Sequence, residues 1–118
     1  MKVQQGWIGV DLDGTLAEYG VWMGPGHVGP PVPRMVQRVK AWLAEGREVR
    51  IVTARANPID YTPAQYVTAM TTVEEWCEKH IGRRLPVTCS KDYRMVELWD
   101  DRAIQVIPNV GLRVDNGR

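Results

Sequence analysis

The sequence is short of the features that would place it in several protein classes at once. It has two cysteines, Cys77 and Cys89, in no CxxC spacing and beside no histidine cluster. That argues against a disulfide framework and a zinc site, and leaves the reduced thiols of a cytoplasmic protein as the expectation. Charge of one sign is also missing: 15 Lys and Arg face 14 Asp and Glu, for a net +1. Nothing here resembles the strong field that drives nonspecific binding to a nucleic-acid backbone. No apolar run approaches the ~20 residues of a membrane span, and the opening MKVQQGW has no apolar signal core, so no membrane partner is expected. Internal repeats are absent. At 118 residues the chain can bury one core and little more, so residues 1–118 are expected to form a single domain.

What is present is an alternation of short apolar runs and amphipathic stretches. Trp7 to Val10 reads as a buried strand, and Gly20 to Pro33 (GVWMGPGHVGPPVP) as a Gly/Pro-rich loop without apolar periodicity. That loop is expected to order only when something binds. Met35, Val36, Val39, Trp42 and Leu43 then recur at helical spacing and stop at Gly46. EVRIVTA reads as a β-branched strand; TPAQ, from Thr62 to Gln65, joins a capping box to a proline at the first helical position. The helix it opens should run to His80 or Ile81, with Val67, Met70, Val73, Trp76 and Cys77 as its buried stripe. Further strands are expected at PVTC, VELWD and AIQVI. Strands alternating with helices predict a parallel sheet covered on both faces, with ligands bound beyond the carboxyl ends of the strands.

That rule draws the polar residues together. Asp11 ends the first strand, Thr53 the second, Lys91 follows the third, and Asp100 with Asp101 ends VELWD. In WIGVDLDGTLAEY, two carboxylates two residues apart face the same way on an extended chain, with Leu12 between them aimed at the core. Such a pair repels itself unless a cation is supplied. Carboxylates hold a hard cation such as Mg²⁺ through oxygen, while a hydroxyl and an ammonium suit phosphoryl oxygens. Gly14 lets the chain turn sharply off the strand, and the Thr15 hydroxyl can hydrogen-bond within that turn to aim the carboxylates.

DLDGT, the Thr of IVTAR, the lysine of SKDY and the acidic pair of LWDD appear in the order of the four motifs of the haloacid dehalogenase superfamily, which the chain resembles over nearly its whole length. The resemblance implies a three-layer Rossmann-like α/β fold with a central parallel sheet of about five strands and no cap domain. It implies a Mg²⁺-dependent phosphomonoester hydrolase in which Asp11 is the nucleophile and Asp13 the general acid/base. Thr53 and Lys91 would hold the phosphoryl group, and Arg55 would contact substrate. Asp11, Asp13 through its carbonyl, Asp100 and Asp101 would hold the metal, Asp101 directly and Asp100 at its side. Small capless members have open sites, which admit large phosphoesters or rely on a second copy of the chain for closure. Polynucleotide 3′-phosphatase domains are also similar in DGTLA and in an Arg soon after the second motif. The phosphorylated substrate is therefore a small metabolite or a nucleic-acid 3′ end, on which Tyr19, Trp22 and Tyr61 could stack.

Each residue also has a plainer role. A lone DxD in a loop is commonly a solvated turn, Lys91 could be a surface lysine, and aromatics near a Pro-rich loop commonly pin it down. A rival from another class is a non-enzymatic phospho-receiver or phosphate-binding regulatory module on a similar fold. Receivers, however, carry their acidic pair after the first strand and their phosphorylated Asp mid-chain. Here DxDGT comes early and the pair late.

Overall fold

A computed structural model describes residues 6–115. Four parallel strands form its sheet, in the order β3-β2-β1-β4. Strand β1 is Trp7–Asp11, β2 is Glu48–Val52, β3 is Val87–Thr88 and β4 is Met95–Trp99. Helix α1, Pro33–Ala44, links β1 to β2, and α2, Pro63–His80, links β2 to β3. Two single 3₁₀ turns, Ala54–Ala56 and Pro58–Asp60, lie between β2 and α2. The fold is Rossmann-like α/β, as the alternation of elements predicts. No helix of the described residues is long and apolar enough to cross a membrane.

The core follows from strand alternation. Ile8 and Val10 of β1 and Val49 and Ile51 of β2 point to one face and are buried against Met35, Val36 and Val39 of α1 and Val73, Trp76 and Cys77 of α2. Each large apolar side chain so buried contributes roughly 1.5–3 kcal/mol before entropy is counted. Both helices thus cover the same face. Among the described residues, the opposite face carries no helix but the short connection from β3 to β4, which must cross two strands and return to the start of the sheet. Trp7 is fully buried there; its indole N–H donates to Asp92 of that connection at 2.8 Å, and the Arg50 guanidinium lies 4.4 Å from its ring. Gly9 has no room for a side chain: a Cβ would meet Val52, Leu98 and Met95 at 2.9–3.2 Å.

Four expectations need correction. The sheet is covered by helices on one face and not on both, so the described residues form two layers rather than three, because two successive crossovers in the same direction put both helices on one side. AIQVI does not join the sheet, which has four strands rather than about five. The Asp100 carboxylate accepts the Arg102 and Ala103 N–H groups at 2.7 and 3.2 Å, turning the chain away from the sheet. Residues 105–107 then pair locally with 112–114. On α2 the capping box at Thr62 and Gln65 forms as expected, but Val67 is exposed and Ala69 buried, because the first turns ride over the 3₁₀ segment instead of the core. The Gly/Pro-rich loop is held in its second half: Glu18 N–H donates to the Pro30 carbonyl, Val32 N–H to Leu16, and the Trp76 indole to Gly29.

Candidate functional site

The carboxyl ends of β1, β2 and β4 and the segment after β3 surround a cleft of about 720 Å³. Asp11, Asp13, Thr53, Arg55, Asp100 and Asp101 all line it, with Tyr19, Trp22 and Tyr61. Asp11, Asp100 and Asp101 each bring a carboxylate oxygen within 4.8 Å of the others, close enough to share a metal ion. Burial pushes the Asp11 carboxyl up to about 7, helped by a hydrogen bond to Asp101 and the Asp100 charge. Carboxylates forced together in this way, offering hard oxygen donors and no cation of their own, fit a divalent metal.

The turn after β1 sets this geometry. The Leu12 carbonyl accepts the N–H groups of Thr15, Leu16 and Ala17 at 2.9–3.2 Å, while its side chain is fully buried and anchors the turn. The Thr15 hydroxyl reaches Asp11 at 3.2 Å and Asp101 at 3.4 Å, tying the two strand ends together. Gly14 sits at φ +89, and a Cβ there would lie 2.5 Å from the Asp101 carboxylate. Both the backbone angle and the close approach therefore require glycine.

Asp13 stands apart from the acidic trio. Its carboxylate accepts two hydrogen bonds from Arg55, Nε to Oδ2 at 2.8 Å and Nη2 to Oδ1 at 2.9 Å. The metal contact expected of Asp13 is through its backbone carbonyl; its side chain, occupied by a guanidinium, stays out of the acidic trio. Arg55 is only 5 % exposed, its third nitrogen, Nη1, is buried without a hydrogen-bond partner, and the Trp22 ring stacks 4.8 Å from it. Thr53, also buried, caps the 3₁₀ turn by accepting the Arg55 N–H at 3.2 Å, so its hydroxyl hydrogen is left to donate into the cleft. Lys91 departs from expectation: it is exposed and does not line the cleft, where the segment after β3 contributes Cys89 instead. Sequence order placed Lys91 here, but it belongs to the β3–β4 connection, whose next residue, Asp92, accepts the indole N–H of Trp7 at the start of β1, the end of the sheet away from the cleft. The ion pair of Asp13 and Arg55 was not foreseen; two charges of opposite sign at the ends of adjacent parallel strands were its only trace.

No family model and no curated protein matches the chain. Among solved structures it is similar to a conserved protein from Bacteroides thetaiotaomicron, at 20 % identity, with 90 % of this chain and 84 % of that chain covered and a TM-score of 0.57. At that identity the likeness concerns the fold.

Proposed function

We propose that the protein is a Mg²⁺-dependent phosphomonoester hydrolase of the haloacid dehalogenase type, working through an aspartyl-phosphate on Asp11 in an open, capless cleft. The observation that carries this reading is the division of labour at the end of β1. Asp11 joins Asp100 and Asp101 within 4.8 Å, whereas Asp13, two residues on, faces Arg55 and stays out of that cluster. A nucleophile beside a metal and a proton donor kept off it is the division such a hydrolysis needs.

Asp11, Asp100 and Asp101 would hold Mg²⁺, which supplies positive charge between the carboxylate and the anionic phosphoryl group. The Asp11 carboxylate attacks phosphorus as the ester P–O bond breaks, and Asp13 gives its proton to the departing alkoxide. Asp13 then takes a proton from water, whose oxygen attacks the same phosphorus and returns Asp11 as a carboxylate. Thr53 and Arg55 bind the phosphoryl oxygens, and Lys91, which lies outside the cleft, is left out of this role. In the free protein the Arg55 guanidinium holds the Asp13 side chain through two hydrogen bonds. An arriving phosphoryl dianion competes for that guanidinium through the unpartnered Nη1, loosens the pair and frees Asp13 for proton transfer. Tyr19, Trp22 and Tyr61 at the cleft suit a phosphoester bearing a ring, on a small metabolite or at a nucleic-acid 3′ end. The two unpaired cysteines accord with a cytoplasmic setting.

The test is hydrolysis of an aryl phosphate by the purified chain. Turnover with Mg²⁺, lost in excess chelator and in Asp11→Asn, is expected. Undiminished turnover in chelator would refute the mechanism.

A further inference from the structure

One face of the Trp22 indole is occupied before any substrate arrives: the Arg55 guanidinium carbon lies 4.8 Å from its ring centroid. The segment that carries the ring is otherwise loosely held. Among the described residues no hydrogen bond joins 19–27 to the rest of the chain, the loop's anchors being Glu18 N–H to the Pro30 carbonyl and the Trp76 indole to Gly29. Val21 and Met23, on either side of Trp22, are 71 % and 63 % exposed. Trp22 is thus drawn to the cleft by Arg55 rather than by the loop's own structure.

Arg55 is the opposite case, buried and fixed along one edge. Nε and Nη2 donate to the two Asp13 oxygens at 2.8 and 2.9 Å, while Nη1, on the other side of the guanidinium, is buried without a partner. Two bonds to one carboxylate hold that edge and leave the plane free to swing about it. A ring lying over the guanidinium opposes the swing, and the attraction of a cation to an indole face grows as water is excluded. Nη1 itself is a buried charged donor, costly to keep unless a ligand completes it.

We propose that Trp22 is a positioning residue, holding the plane of Arg55 so that Nη1 meets an oxyanion bound in the cleft. The role deepens the phosphatase reading and rests on one part of it, that Arg55 binds the phosphoryl oxygens; Trp22 acts on that group through Arg55. Such a role differs from stacking on a ring of the substrate, which falls to Tyr19 and Tyr61 at the same cleft. A stacking residue matters only to esters that carry a ring. A residue that sets Arg55 matters to every phosphoryl group alike, and its effect vanishes once Arg55 is gone.

The test uses the full chain with Mg²⁺, inorganic phosphate as the ligand, and two esters, phenyl phosphate and the ring-free glycerol phosphate. Trp22→Leu should weaken phosphate binding in calorimetry about tenfold and lower kcat/KM on both esters by a similar factor, and Trp22→Tyr should restore most of each. In the Arg55→Ala background Trp22→Leu should cost nothing more. With no ligand present, the Arg55 Nε–H, followed by nuclear magnetic resonance, should exchange with water faster in Trp22→Leu than in wild type. Val21→Ala, beside Trp22 but exposed, should change none of these. Wild-type phosphate affinity in Trp22→Leu, a loss confined to phenyl phosphate, additivity with Arg55→Ala, or a wild type that binds no phosphate would overturn the proposal. Phosphate binding that responds to Trp22 as expected, in a protein that hydrolyses neither ester, would uphold Trp22 in this role and refute the phosphatase reading instead.

Discussion

Replacing Asp11 by Asn is expected to abolish turnover and yet stabilise the metal-free protein. Asp11 is pushed from 3.8 to about 7 by its burial, the hydrogen bond with Asp101 and the charge of Asp100. Between about pH 4 and 7 the folded state therefore keeps a proton that the unfolded chain releases, and stability falls as pH rises through that window. At ~1.36 kcal/mol per pH unit the ceiling is about 4 kcal/mol. The carboxyl opens onto the cleft, however, and solvent screening reduces the effect to ~1–2 kcal/mol. Asn keeps the shape and carries no charge, so it escapes the whole cost. For a domain of this size that raises the melting temperature by roughly 3–10 °C at pH 8 in chelator. The gap should narrow as the pH falls and close below about pH 4, where Asp11 is protonated in the folded and the unfolded chain alike, and Mg²⁺ should narrow it by stabilising wild type more than the variant. Thermal unfolding by circular dichroism, with chelator and with Mg²⁺ across this pH range, measures all three. An Asn variant that melts no higher than wild type at pH 8 in chelator would refute the account of crowded, uncompensated carboxylates.

Other perturbations separate the remaining roles. Asp13→Asn should cost ~10²–10⁴-fold in turnover of alkyl phosphates and less in the first step for an acidic phenol. In that case phosphoryl mass should accumulate on a peptide containing Asp11, by rapid quench and mass spectrometry; phosphoryl on Asp100 or Asp101 would contradict the assignment. Arg55→Ala should reduce kcat/KM at least about tenfold more than Lys91→Ala, and Arg55→Lys should not rescue it, since an ammonium lacks the fork that Asp13 accepts. Steady-state kinetics on an aryl phosphate decides this, and equal losses would restore Lys91 to the cleft. Gly14→Ala should destabilise by about 1–3 kcal/mol and weaken Mg²⁺ binding in calorimetry, because its Cβ meets the Asp101 carboxylate at 2.5 Å in a left-handed backbone.

Much of the fold was legible because local signals and tertiary packing agree. The capping box at Thr62, the Gly46 stop and the apolar runs of β1 and β2 each specify what the sheet then uses. The same is true of Asp11, Asp100 and Asp101, since strand ends in a parallel sheet meet whatever their separation in sequence. Legibility failed where competition was decided by groups distant in the chain or by chemistry read too narrowly. AIQVI has the composition of a sheet strand, but Asp100 captures the amides that would have led it there, and the PNVG turn offers a nearer partner. Val67 follows helical periodicity, yet no sheet lies beneath that turn of α2. Lys91 was placed by motif order alone, and motif order does not measure how the chain leaves a two-residue strand.

The tie between Thr15 and Asp101 spans 86 residues, nearly the length of the chain. β1 comes before the rest of the sheet in the chain and β4 after it, and contacts of such separation carry a large loop-closure entropy. A nascent or truncated chain can carry α1, α2 and the Asp13–Arg55 pair and still lack two of the three carboxylates. The three carboxylates therefore come together in one step, when β4 docks beside β1.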